Sequence, residues 1–175
     1  MASDTQNVKL GVCRLFFDDK DLGFTKGGVE AAVETSTQEI TVDQLGNSPI
    51  GERITGRTCT VTAPLAETTL ENLVAIMPGA QLVTDSQDPT KKKVVVPAGV
   101  GIDLLEIAKK LRLHPKENAD DDTSEDFIVP RAATAGAATF AYKLDEQRVF
   151  NVVFKAYPDA ETETLFVVGD ETAKA

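Results

Sequence analysis

His114 is the single histidine among 175 residues. One imidazole leaves room for few nucleophile–His–acid relays and few of the common zinc ligand sets. It closes the apolar run Leu111 to His114, just before Pro115, and reads as a surface or strand-end residue. Cys13 and Cys59 are the only cysteines, and neither belongs to a CxxC pair. Both sit in apolar or alternating patterns, which favours buried structural thiols in a reduced, intracellular setting. Asp120-Asp121-Asp122 raises the question of calcium. An EF-hand loop needs alternate ligands, a Gly at its sixth position and a Glu at its twelfth. No register of this triplet puts Gly sixth, so the run reads as a solvated acidic loop. Gly99-Val100-Gly101 lacks the third glycine and the strand–helix context of a dinucleotide site. The 28 acidic side chains offer carboxylate pairs, but the sequence singles none out. The expectation is a chain without catalytic residues, metal or cofactor: not an enzyme.

The totals narrow the class further. Hydrophobic residues make up 42% and charged residues 26%, the balance of a globular protein with one sizeable core. The net charge is -10. Duplex binding needs clustered Lys and Arg to displace counterions. The one basic cluster, Lys91-Lys92-Lys93, follows Asp85 and Asp88, so DNA reading is not expected. Met1 to Leu10 is polar, without the apolar stretch of a secretory signal. No apolar run approaches the roughly 18 residues that span a membrane.

The pattern along the chain is mostly of period two. Strands are expected at Val8–Phe17, Leu22–Thr25, Val29–Val42 and Ile50–Ala63. Further strands are expected at Ala80–Thr84, Lys93–Pro97, Leu111–His114, Phe127–Pro130, Thr139–Leu144, Arg148–Tyr157 and Leu165–Val168. Phe150, Val152 and Phe154 share a face and are expected opposite Phe140 and Tyr142. Val29–Val42 and Ile50–Ala63 stand out. Each is more than twice the usual five or six residues, and each would extend on the order of 45 Å. They flank a turn-rich loop, Asp43-Gln44-Leu45-Gly46-Asn47-Ser48-Pro49. Such a hairpin, spanning residues 28–65, projects past its own core and needs a partner sheet. In its first strand Glu30 and Glu34 fall on one face, with Val29, Ala31 and Val33 on the other.

One helix is expected at about 69–77. Thr68-x-x-Glu71 fits a capping box, Leu70, Leu73, Val74 and Met77 form a stripe, and Pro78-Gly79 ends it. A second short helix is expected at Asp103–Lys110. Residues 115–126 read as an exposed acidic loop, and 169–175 as a tail with little to bury. The fold class expected is mainly β: a single sandwich-like or barrel-like domain over 1–175, with one flanking helix and a long projecting hairpin.

Several of these segments resemble the major tail tube proteins of long-tailed bacteriophages. They are Asp21-Leu22-Gly23-Phe24-Thr25-Lys26-Gly27-Gly28-Val29, Val42-Asp43-Gln44-Leu45-Gly46, Gly56, and Leu65-Ala66-Glu67 before Thr69-Leu70-Glu71-Asn72-Leu73. Arg148-Val149-Phe150, Phe154 to Asp159 and Gly169-Asp170 continue the likeness in element order over most of the chain. The resemblance implies a virion protein made in the host cytoplasm. Six copies would form a ring, hairpins would join edge to edge into a lumen barrel, and rings would stack head to tail. It implies contacts with tail tip, tape measure and tail terminator proteins, and double-stranded DNA passing through a negative lumen without specific binding. Asp43 to Pro49 would then serve assembly, and Glu30 and Glu34 would face the lumen. Two alternatives carry different expectations. A monomeric β-sandwich binding module predicts exposed aromatic residues at loop tips and no polymer. The tube of a contractile tail or of a bacterial secretion system would share the composition seen here.

Overall fold

Ten strands and one helix follow one another along residues 8–173, the part that this computed structural model describes. The opening Met1 to Asn7 and the tail end Lys174-Ala175 lie outside the described residues. In chain order the elements are β1 (Cys13–Phe17), β2 (Lys20–Asp21), β3 (Glu30–Thr41), β4 (Pro49–Leu65) and α1 (Leu70–Ile76). Then come β5 (Gln81–Thr84), β6 (Lys92–Val95), β7 (Lys109–Pro115), β8 (Phe127–Thr134), β9 (Phe150–Tyr157) and β10 (Val167–Val168). The protein is mainly β, as its period-two patterning predicts.

One antiparallel sheet runs in the order β2-β1-β7-β8-β9-β4-β3, with β10 added to β8, and β5-β6 form a separate hairpin. Alternation along each strand decides what the sheet encloses. Cys59, Val61, Ala63 and Leu65 of β4 turn to the same side as Phe150, Val152 and Phe154 of β9. Leu15 and Phe17 of β1 and Leu111 and Leu113 of β7 complete that apolar side. The sheet cannot be flat. β1 and β9 are three strand spacings apart, roughly 14 Å on a plane, yet the rings of Phe17 and Phe154 sit 5.0 Å apart. Curling brings them together. The chain after β2 then closes on the end of β4: Thr25 bridges Leu65, Lys26 N–H donates to Pro64 O, and Ala66 N–H donates to Phe24 O.

Helix α1 sits where the expected one does, with its cap one residue later. Thr69 is the N-cap and its side chain accepts from Asn72 N–H, so the Thr68–Glu71 box does not form. The buried stripe is Asn72, Leu73 and Ile76, while Leu70 is exposed. Asn72 is a buried polar residue with a purpose. Its amide donates to Leu22 O at 2.9 Å and to Glu67 O at 3.0 Å, which ties the helix to the closure of the sheet.

Five expectations need correction. Asp103–Lys110 is not a helix. Asp103 Oδ1 accepts from Leu105 N–H in a turn, and Lys109 onward is taken into β7 between β1 and β8. A segment that short forms few helical bonds, too few to compete with two sheet ladders. Thr139–Leu144 is not a strand: it pairs neither with β9, which takes β4 along Phe150–Lys155 and β8 along Phe154–Tyr157, nor with another described strand. Phe140 still meets Phe150, edge to face at 5.3 Å, but Tyr142 lies under the Arg148 guanidinium instead. Finally, only Cys13–Phe17 of the first expected strand is paired. Val8, Leu10 and Val12 alternate as written but are exposed. Leu22–Thr25 contributes only the Thr25 bridge, and of Leu165–Val168 only Val167–Val168 forms a strand.

Candidate assembly interface

The hairpin β3–β4 is exposed over most of its length. All twelve residues of β3 are exposed, and so is β4 from Pro49 to Thr58. β9 pairs with β4 only from Thr60 to Leu65. Beyond Thr60 the two strands have only each other, so both outer edges show free N–H and C=O groups. β4 is seventeen residues long, and its tip lies roughly 50 Å from its base at about 3.3 Å per residue.

The tip is built from the residues singled out in the sequence. Asp43–Leu45 make one 3-10 turn, in which Leu45 N–H donates to Val42 O and Gly46 N–H to Asp43 O. Gly46 then takes φ +59°, where a side chain would be strained. Gln44, Asn47 and Ser48 are exposed, and Leu45 shows 58% of its surface. Pro49 belongs to the ladder rather than the loop, opposite Thr41.

The register decides the faces. Glu30 pairs with Thr62 and Glu34 with Thr58, whereas Ala31 pairs with Val61 and Val33 with Cys59. Glu30 and Glu34 therefore point away from the core, and Ala31 and Val33 continue the core side. That side loses its cover as the hairpin leaves the body, so Val33 is 43% exposed. Two features were not legible in the sequence. The register shifts at Ser36/Thr37 and at Ile40/Thr41 leave Thr55 and Ile50 as bulged residues of β4. With those shifts Arg53, opposite Gln38, joins the Glu30 face, as does Lys155, opposite Thr60. Two carboxylates and two cations thus share that face, which is locally balanced although the chain is acidic.

The acidic loop is anchored rather than free. Asp120 pairs with Arg14 at 2.7 Å, Glu125 pairs with Lys9, and Arg14 also holds Asp21 at 3.1 Å. Asp120, Asp121 and Asp122 remain exposed. His114 is not a surface residue. It lies on the outer side of β7, opposite in parity to Leu111 and Leu113, and is only 2% exposed. Its Nδ1 lies 2.7 Å from Oδ1 of fully buried Asp126, and Arg112 approaches Oδ2 at 3.5 Å. Nε2 has no partner among the described residues. The pair pins the loop's end to β7. Asp126→Ala would leave a buried imidazole without its hydrogen-bond partner and is expected to cost about 1–3 kcal/mol. That loss would be read as a lower urea midpoint at unchanged slope, with Asp126→Asn losing less. An unchanged midpoint for the alanine variant would contradict this role.

Other chemistry has little to build on. Burial pushes both the Cys13 and Cys59 thiols up, away from the reactive thiolate. Among the described residues, no group of three or more His, Cys, Asp or Glu is placed to hold a metal ion. Among the described residues, no helix is long and apolar enough to cross a membrane. In comparisons with known proteins, no family model and no curated protein matches this chain.

Proposed function

We propose that this chain is the structural subunit of a phage tail tube of the long-tailed kind. Copies join side by side through the hairpin into six-membered rings, rings stack head to tail, and the bore conducts DNA during ejection. The observation that carries this reading is a hairpin with solvent on both faces and both edges, projecting far past the core of the described residues. Such a ladder is marginal by itself. Edge-to-edge joining of neighbouring hairpins satisfies the free backbone groups and closes the sheet. The role is structural rather than catalytic, and the remaining partners are the tail tip, tape measure and tail terminator proteins. The net charge of -10, repeated around a ring, disfavours adhesion of passing duplex. The segment likeness to tail tube subunits supports the same reading.

Negative-stain microscopy of concentrated purified protein tests it. Rings or hollow tubes are expected. A chain that stays monomeric at every concentration overturns it. One observation favours a second reading, a monomeric binding module: Phe24 and Tyr142 are 72% and 76% exposed on loops. That module would remain monomeric in the same experiment.

A further inference from the structure

The two outer edges of the hairpin are not equally free. β9 lies along β4 from Leu65 as far as Thr60, where Lys155 is the last residue paired with it. Ala156 and Tyr157 pair with β8 instead. The same edge of β4 is therefore open only from Thr58 out to Pro49. The outer edge of β3 is open along all of Glu30–Thr41. Gly27 and Gly28, at φ +99° and +91°, turn the chain aside just before it.

Neighbours in a ring point their hairpins the same way, so β3 of one copy runs antiparallel to β4 of the next. Two conditions limit how these edges can slide. Each face must continue into the same face, which permits only steps of two residues. Glu30 must also lie beyond the neighbour's Lys155, which already occupies the edge at Thr60. The first register that meets both sets Glu30 beside the neighbour's Thr58. Followed outward, with Thr55 bulged as it is within the chain, it sets Val33 beside Ile54 and Glu34 beside Arg53. Val33 and Ile54 are large apolar residues, 43% and 57% exposed. A slip of two residues towards the base runs Glu30 into β9. A slip of two towards the tip puts Val33 against Glu52 and Glu34 against Gly51.

We propose that β3 of one copy joins the β4 edge of its ring neighbour in this one staggered register, Val33 on Ile54 and Glu34 on Arg53. The other charges agree with it. The neighbour's Lys155 falls two residues along the edge from Glu30, roughly 7 Å away. Arg57 meets Ala31, Glu52 meets Thr35, and Glu39 lies past the neighbour's Pro49, so no like charges oppose each other across the joint. Exposed ion pairs of this kind select a register, while the backbone ladder holds the joint. Within a chain Glu34 faces Thr58, so neighbours are offset by four residues, roughly 13 Å, the kind of stagger that a closed barrel requires. The inference rests on the tube reading and specifies its lateral joint.

Cysteine pairs test it. Glu34→Cys/Arg53→Cys should form disulfides when assembled protein is briefly oxidised. Within a chain Arg53 faces Gln38, roughly 13 Å along the strand from Glu34 and too far for a disulfide, so every bridge joins two copies. Thr35→Cys/Glu52→Cys reports the same register from the other face, and Glu30→Cys/Arg53→Cys is the off-register control. All these positions are exposed, so the variants are expected to melt as the parent does. Parent protein, with Cys13 and Cys59 alone, is the blank. A ladder of linked chains is expected from each in-register pair, at least about tenfold above the control, whose Cα atoms lie beyond disulfide reach. A control that links as well as the 34/53 pair, or assembled protein in which neither in-register pair links, overturns this register and leaves the tube reading standing. Failure of the parent to assemble at all would instead remove the tube reading, and this register with it.

Discussion

Deleting Gln44 to Ser48 is expected to abolish tube formation while leaving a folded monomer. The cut removes the exposed tip and spares every core residue, since burial in β4 begins at Cys59. It also leaves the ladder closable. Thr41 still faces Pro49, with Val42-Asp43 as a two-residue loop. Adding Val42→Asn, Asp43→Gly and Pro49→Thr gives that loop the residues such hairpin turns prefer and supplies the backbone N–H that closes it. Shortening the loop from seven residues to two lowers its closure cost by only about 1 kcal/mol, so thermal unfolding should not fall. Assembly should move a great deal. A tip contact worth about 3 kcal/mol raises the critical concentration by more than about 100-fold, enough to empty a micrograph of tubes at the parent's working concentration. Sedimentation across a concentration series reads this directly. A deletion variant that assembles at the parent's concentration would mean that the tip is not a joint.

The long hairpin was legible because length and period are local signals. Two β-branched, glycine-poor runs around Asp43–Pro49 admit few other arrangements, and the observed strands, Glu30–Thr41 and Pro49–Leu65, fall close to the expected ones. The faces were legible as well, because a period of two fixes which residues accompany Cys59 and Val61. What failed depended on competition between distant segments. Lys109–Pro115 has helical charge placement at its start, but β1 and β8 together offer it two ladders. Thr139–Leu144 has strand alternation, but alternation alone does not supply a partner, and β9 pairs with β4 and β8 instead. His114 sits at a strand end as expected, yet the fold-back of residues 115–126 buries it against Asp126, twelve residues on. No periodicity announces a loop that returns over its own strand. The β-bulges at Thr55 and Ile50 were invisible for a similar reason, since a bulge is a property of the pair of strands.

Those bulges bear on the last expected result. Replacing Glu30 and Glu34 with Lys should turn a balanced face into a basic one. As folded, that face sets Glu30 and Glu34 against Arg53 and Lys155, a local sum of zero. Each Glu→Lys change adds two charges, so the variant face carries +4 per chain. On an outer wall this meets only water and salt, and DNA passage is unaffected. On a lumen wall the charge repeats around every ring and faces phosphate. Two new phosphate contacts per chain give a salt slope of roughly -1.8, or about a tenfold loss of affinity between 50 and 200 mM salt. The substitutions lie away from the core, so rings and tubes should still form. Variant tubes should therefore retain short duplex DNA at low salt and release it as salt rises, where parent tubes retain none. Particles carrying the variant should eject slowly at low salt and recover at high salt. Retention and ejection identical to the parent at low salt would place Glu30 and Glu34 outside the channel and turn the apolar side of the hairpin, with Val33 and Ile54, towards the bore.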